Sequence, residues 1–185
     1  MAITLNGTTG VTTPGVSVSG STVLGTMGSS VITSGTSVAS TSGTSIDYTS
    51  IPSWVKRITV MLSGVSLSGS SNILIQIGAG SITSTGYVGS AGIQSTSPTT
   101  NVAQYTTGFG VSVAGSASNA TYGNVQICLV GSNIWLSSGA YGYNNTYLGT
   151  SGGSVTLSGT LDRVRITTVN GTDTFDAGTV NILYE

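Results

Sequence analysis

Residues 53–69 read SWVKRITVMLSGVSLSG. Ile58, Val60 and Leu62 fall on every second position, with Trp54 and Lys56 on the same parity nearer the start. Arg57, Thr59 and Ser63 hold the other parity. A period of two sends successive side chains to opposite faces of a strand, so one face is core and the other wet. Past Gly64 the apolar parity changes to Val65 and Leu67, which predicts a bulge or a bend at the glycine. A second stretch echoes the first: in LDRVRITTVNG, residues 161–171, Val164, Ile166 and Thr168 alternate with Arg163 and Arg165. Together these two strands hold all four cations of the chain. The cations are expected to flank core strands, discourage edge pairing and meet the few carboxylates, with Asp162 beside Arg163 and the isolated Asp47 as partners.

Working outward, the rest of residues 46–185 reads as consecutive strands separated by Gly, Ser and Asn turns. They are expected near 46–51, 54–67, 72–79, 86–95, 105–115, 122–131, 133–143, 147–158, 161–170 and 174–184. No apolar stripe of helical period is present, and Glu, Lys, Ala and Leu do not occur in runs. About ten short strands at this spacing predict an all-β sandwich or barrel, with a jelly-roll-like sandwich as the favoured form.

Composition agrees. The chain has 185 residues, enough for one domain with a sizeable core. Ser, Thr and Gly number 31, 30 and 28, almost half the total. That composition alone would fit a linker, but the mean hydropathy is positive and the apolar residues are ordered. Thr is β-branched and suits strands. Only 5% of residues are charged, against about a quarter in ordinary globular proteins. With four Lys and Arg and a net charge of −1, there is nothing to grip phosphates, so nucleic acid is not an expected partner. An anionic membrane surface has nothing to attract either.

The lone Cys128, in NVQICLVG, excludes an intrachain disulfide and reads as a small buried hydrophobe. The start, MAITLNGTTG, has neither the basic segment nor the apolar core of a signal peptide, and no apolar run approaches the ~20 residues of a membrane helix. Synthesis in a cytoplasm without export is expected, with no membrane insertion. The Asn-x-Ser/Thr matches at Asn6, Asn119, Asn144 and Asn170 then read as chance in a Thr-rich chain.

Residues 1–45 differ from the remainder, since 29 of these 45 are Ser, Thr or Gly. Short apolar pairs, Val16/Val18, Val23/Leu24 and Val31/Ile32, recur between glycines. No single piece can bury its apolar side alone. Several copies wound together would cover those side chains and pair their edges. The expected organisation is therefore an extended attachment and oligomerisation arm at 1–45, followed by a β head at 46–185, in a homotrimer; a dimer or a ring would satisfy the same physics.

Catalytic constellations are sparse. The chain has no His, which removes the commonest general base and metal ligand. One Cys without His cannot build a zinc site, and no cofactor is expected. The pair Asp173/Asp176 in NGTDTFDAG could be glycosidase carboxylates or a Ca²⁺ loop, but a plain turn is the simpler reading. The aromatics are better candidates for recognition. SSGAYGYNNTYLGTSGG brings Tyr141, Tyr143, Asn144, Asn145 and Tyr147 together, with Trp135 just upstream. Tyr and Asn on small-residue loops provide contact area at low entropy cost. The alternative is a strand pair whose aromatics pack against the core or a neighbouring subunit. The same choice applies to Tyr87, Tyr105 and Phe109.

Three passages carry a resemblance: MAITLNGTTGVTTPGVSVSG at 1–20, GTSIDYTSIPSWVKRITVMLSGVSLSGSSNILIQIG at 43–78 and DTFDAGTVNILYE at 173–185. They resemble small virion proteins of tailed bacteriophages, loosely described as tail-fibre or structural proteins. The matching passages cover about a third of the chain. The resemblance implies a non-enzymatic, homotrimeric, fibre-like virion component, whose N-terminal arm binds other virion proteins and whose jelly-roll head contacts a host-surface glycan or receptor. It transfers no individual contact residue. The chain is shorter than long tail fibres and lacks a shaft, which leaves open a capsid decoration or head-fibre protein docked by its arm. A lectin-like glycan-binding module is a further alternative.

Overall fold

A computed structural model describes residues 16–18, 21–23, 32–95, 100–111, 113, 115–144 and 146–185. The chain divides into two compact units, Met1–Thr33 and Ser34–Glu185. In the first, β1 (Val16–Val18) pairs antiparallel with β2 (Ser21–Val23), Val16 lying opposite Val23. Leu24 and Val31 of the repeated apolar pairs lie outside the described residues.

In the second unit the strands form two antiparallel sheets, and no helix occurs among the described residues. The smaller sheet is built from β5 (Ser45–Thr49), β7 (Ile73–Ala79) with its short neighbour β8 (Ser81–Ile82), β11 (Phe109–Gly110) and β15 (Arg163–Thr168). Its order is β11-β7-β15-β5. The larger sheet contains the long strands β6 (Arg57–Leu67), β12 (Thr121–Gly131), β13 (Ile134–Tyr143), β14 (Tyr147–Thr156) and β16 (Phe175–Tyr184). The hairpin of β9 (Val88–Ser95) and β10 (Thr100–Tyr105) extends one side, and the two-residue strands β3 (Thr33–Ser34) and β4 (Val38–Ala39) flank β16 on the other. The order is β10-β9-β14-β13-β12-β6-β16-β3. The chain therefore passes from sheet to sheet as it proceeds, and the two sheets enclose one core.

The alternation read from the sequence is what fills that core. Ile58 and Val60 of β6 are fully buried, as are Ile75 and Ile77 of β7, Ile127 of β12, and Val164 and Ile166 of β15. Each such side chain contributes about 1.5–3 kcal/mol by leaving water. The predicted bulge is present: Gly64 has φ +66°, and the register on β12 jumps from Gly123↔Leu62 to Thr121↔Val65. Ser63 and Gly64 thus oppose Tyr122 alone, and the parity change buries Val65 and Leu67. Only a residue tolerant of positive φ fits there.

Several expectations need correction. Trp54 is not on the core face but half exposed, its ring 6.0 Å from that of Tyr184, and Val55 is buried instead. The cause is a second bulge. The amides of Lys56 and Arg57 both donate to the Glu185 carbonyl, at 2.7 and 2.8 Å. Two residues against one reverse the parity upstream of Ile58, which turns Lys56 and Arg57 both outward and exchanges Trp54 for Val55. Neither cation-bearing strand is an edge: β6 lies between β12 and β16, and β15 between β5 and β7, so the cations do not guard edges. The strand expected at 105–115 shortens to Phe109–Gly110, and an unanticipated strand, β10, precedes it. Val111 and Val113 remain buried on the chain that leaves the small sheet. Cys128 is half-buried, on the outward face of β12 opposite Leu136 and Arg57, and not in the core.

Residues 34–45 run beside the large sheet. The Gly35 amide donates to the Ile182 carbonyl at 2.8 Å and the Ser40 amide to that of Gly178 at 3.0 Å. Ser40 is fully buried, its hydroxyl donating to the Ala177 carbonyl.

Candidate recognition surface

The three arginines are taken up by carboxylates. Arg165 Nε and Nη2 donate to the two Asp47 oxygens at 2.7 and 3.0 Å. Arg163 makes the same two-pronged contact with Asp162 at 2.7 and 3.0 Å, and Arg57 pairs with Glu185. The Arg163 guanidinium holds the Asp162 carboxyl below its ordinary range. These pairs are partly solvated and fix side-chain directions more than they stabilise. The expected partnering of Asp47 and Asp162 is present, and Lys56 is exposed.

Asp173 sits in a closed turn. Its Oδ1 accepts from Asn170 Nδ2 at 2.9 Å and its Oδ2 from the Ser71 amide at 2.8 Å. The Asn170 side chain in turn accepts the amides of Thr172 and Asp173 at 3.1 Å each. The hydrogen bond from Asn170, then that from Ser71, push the Asp173 carboxyl below its ordinary value. Asp176 accepts from the Ser66 hydroxyl. Asp173 is occupied by the turn and Asp176, on β16, by Ser66 of β6, and no group of three His, Cys, Asp or Glu that could hold a metal occurs among the described residues.

The aromatic candidates fall on the inner side of the large sheet. Trp135, Tyr141 and Tyr143 are 2%, 3% and 2% exposed, which removes them from any recognition surface. Alternation put them on one face, and that face is the core. Tyr141 and Tyr143 have ring centroids 5.7 Å apart, and Tyr143 and the half-buried Tyr147 6.0 Å. The Tyr141 ring lies over Gly149, where any Cβ would overlap it. Burial, then the neighbouring Tyr143 and Tyr105, push the Tyr141 hydroxyl upward; burial first and then Tyr143 raise Tyr105 to about 12. Asn144 is exposed in the β13–β14 turn with φ +46°, but its side chain is engaged: Oδ1 accepts the Ala120 amide at 2.9 Å and Nδ2 donates to Ser118 O at 2.7 Å. Asn145 lies outside the described residues. Tyr87, Tyr105 and Phe109 are buried as well.

What remains accessible is the outer face of the large sheet. Register aligns Gln104, Ser90, Gly152, Ser138, Gln126 and Thr59 across six strands. The next row holds Val102, Gly92, Thr150, Ala140, Asn124 and Met61. At ~4.8 Å between strands these rows are about 24 Å wide. Neither row carries a charge, because no Asp, Glu, Lys or Arg occurs anywhere in residues 58–161. That charge-free run is the sequence signal that points to this face. Toward β10 the face opens into a groove of about 280 Å³ with Gly92 at its floor, flanked by Gln94, Thr100, Thr150 and the exposed Val102 and Leu148. A second groove, of about 350 Å³, runs between residues 34–38, β5 and the end of β16, and includes Asp47 and Tyr48. The Tyr48 hydroxyl crosses from the small sheet to donate to the Val180 carbonyl at 2.8 Å.

No protein-family model, curated protein or solved structure matches the chain. Among the described residues no helix is long and apolar enough to cross a membrane.

Proposed function

We propose that the chain is a non-enzymatic structural protein of a tailed-bacteriophage virion: a short trimeric tail fibre whose sandwich contacts the host surface. The observation that carries the reading is the outer face of the large sheet, whose two rows across β10 to β6 carry no charge and hold Ser, Thr, Gly, Asn and Gln beside Val102, Ala140 and Met61. Such a face offers neutral hydrogen-bonding groups and small flat contacts, which suit a neutral glycan or a protein surface and offer nothing to phosphates. The sequence resemblance at residues 1–20, 43–78 and 173–185 supplies the virion context.

The sandwich is of jelly-roll type in this reading. The small-sheet order β5-β15-β7-β11 and the run β6-(β12–β14)-β9-β10 in the large sheet match a double Greek key with one strand position filled by the three-stranded β12–β14 meander. Residues 34–45 belong to the sandwich unit, so the arm that binds other virion proteins is residues 1–33, and three copies cover its apolar pairs.

The test is adsorption. Purified full-length chain is expected to bind bacterial cells that the parent phage infects and to compete with the phage for them. Failure to bind or compete removes the adhesive role. Counting copies per virion then separates a fibre, with a few to tens, from a capsid decoration protein, with on the order of hundreds.

A further inference from the structure

We infer that β10 is a joint between two copies of this chain: it pairs antiparallel with the β10 of a second copy about a two-fold axis, so that the large sheet continues from one copy into the other. An open edge presents a row of unpaired backbone donors and acceptors, and proteins guard such edges with charge, proline, bulges or short strands. Among the described residues the two sheets have four edges. Three are guarded. The large sheet ends on one side in β3 and β4, of two residues each. The small sheet ends in β11, also of two residues, and in β5, which carries Asp47 clasped by Arg165.

Over Thr100–Gln104 the fourth edge, β10, carries none of these guards among the described residues. Its six residues TNVAQY contain neither charge nor proline. Its register on β9 runs unbroken from Thr100↔Gln94 to Tyr105↔Gly89, with no bulge to twist it away. Thr100, Asn101, Val102 and Gln104 are exposed, and Val102 is 70% exposed. A flat, uncharged edge of this kind pairs with another strand.

The occupant follows from self-complementarity. Residues opposed in an antiparallel pair point to the same face. A two-fold axis at Val102 sets Val102 against the second copy's Val102, and Thr100 against its Gln104, all on the outer face. Asn101 then opposes Ala103 on the inner face. The two exposed valines cover each other, and Thr100 meets Gln104. The charge-free run 58–161 leaves no like charges to confront each other across the axis. The groove beside Val102 and Gly92 leaves room for the incoming side chains. The contact is isologous and closes after two copies, so it is separate from whatever holds a trimer together.

The experiment measures the solution mass of the full chain by light scattering, for wild type, Val102→Lys, Val102→Asp and an equimolar mixture of the two variants. The variants place like charges opposite each other, and the mixture places opposite charges. Wild type is expected at twice the mass of either variant, with the mixture returning to the wild-type mass. Equal mass for wild type and both variants, or a mixture that stays halved, overturns the joint. Circular dichroism checks that the variants fold, and Gln104→Lys, which faces Thr100 across the axis, serves if either does not. The absolute number of chains tests the trimer separately. Six falling to three keeps both ideas, two falling to one keeps the joint without the trimer, and three falling to nothing smaller keeps the trimer without the joint.

Discussion

Tyr87 is 2% exposed, and its hydroxyl accepts the Ile77 amide of β7 at 2.9 Å. Burial pushes this hydroxyl from an ordinary value near 10 up to about 12, against a smaller lowering by the Ile77 contact. The group is raised in the folded state, so its contribution is fully present below pH 10 and is lost as pH rises toward 12. In that window the unfolded chain ionises and the folded one resists, so the folded state loses about 1.4 kcal/mol by pH 11 and about 2.3 kcal/mol by pH 12 through this group alone. The perturbation is Tyr87→Phe, which leaves the Ile77 amide buried without its acceptor and costs about 1–3 kcal/mol at pH 7. Phenylalanine does not titrate, so the stability gap between wild type and variant is expected to narrow by about 1.4 kcal/mol between pH 8 and pH 11. Denaturant unfolding at closely spaced pH values reads this directly. A gap that stays constant up to pH 11 would refute the reasoning, because Tyr87 would then ionise alike in both states.

Gly149→Ala is expected to cost about 1–3 kcal/mol by driving a methyl into the Tyr141 ring, while Gly152→Ala, whose new Cβ would have only the Ser137 carbonyl oxygen nearby at 3.7 Å, changes thermal stability little. Ile166→Ala, at the centre of the small sheet and fully buried, is expected to lose about 2–5 kcal/mol in chemical denaturation. Asp173 is lowered in the folded state, so its support of the 170–173 turn is present above the ordinary carboxylate value and is lost as pH falls through the lower folded one. Asp173→Asn is expected to flatten the acid limb of the stability curve between pH 4 and pH 2, and an unchanged limb in the variant counts against the turn.

The strands were legible wherever burial on one face enforced a period of two. The β12–β14 meander and β15 lie within two residues of their expected limits because alternate side chains there are core. β10 was not legible: its threonine, asparagine and glutamine look like a loop, and only its register on β9 makes it a strand. The aromatic stretch shows the other limit. Alternation placed Trp135, Tyr141 and Tyr143 on one face, but which face is core depends on a second sheet that no local pattern announces. The bulge at Lys56 and Arg57 depends on the Glu185 carbonyl, a partner far away in sequence, so local alternation points Trp54 to the wrong side. The outer face of the large sheet has a signal in the charge-free run 58–161, but the sequence reading looks to the tyrosine and asparagine loops instead, and the residues that share a row follow only from pairings across six strands.

The strand order also constrains how the chain reaches its native state. β5 is synthesised early but pairs with β15, and the Asp47–Arg165 contact spans 118 residues. β6 waits in the same way for β16. Each early strand therefore lacks a neighbour until the last of these elements has emerged, and closing such long loops is entropically costly before any contact rewards it. Such an order favours slow folding, in which local units such as the β12–β14 meander and the β9–β10 hairpin can form before the long-range pairs. Until β16 docks, one side of β6 is without the strand that pairs with it in the folded sheet.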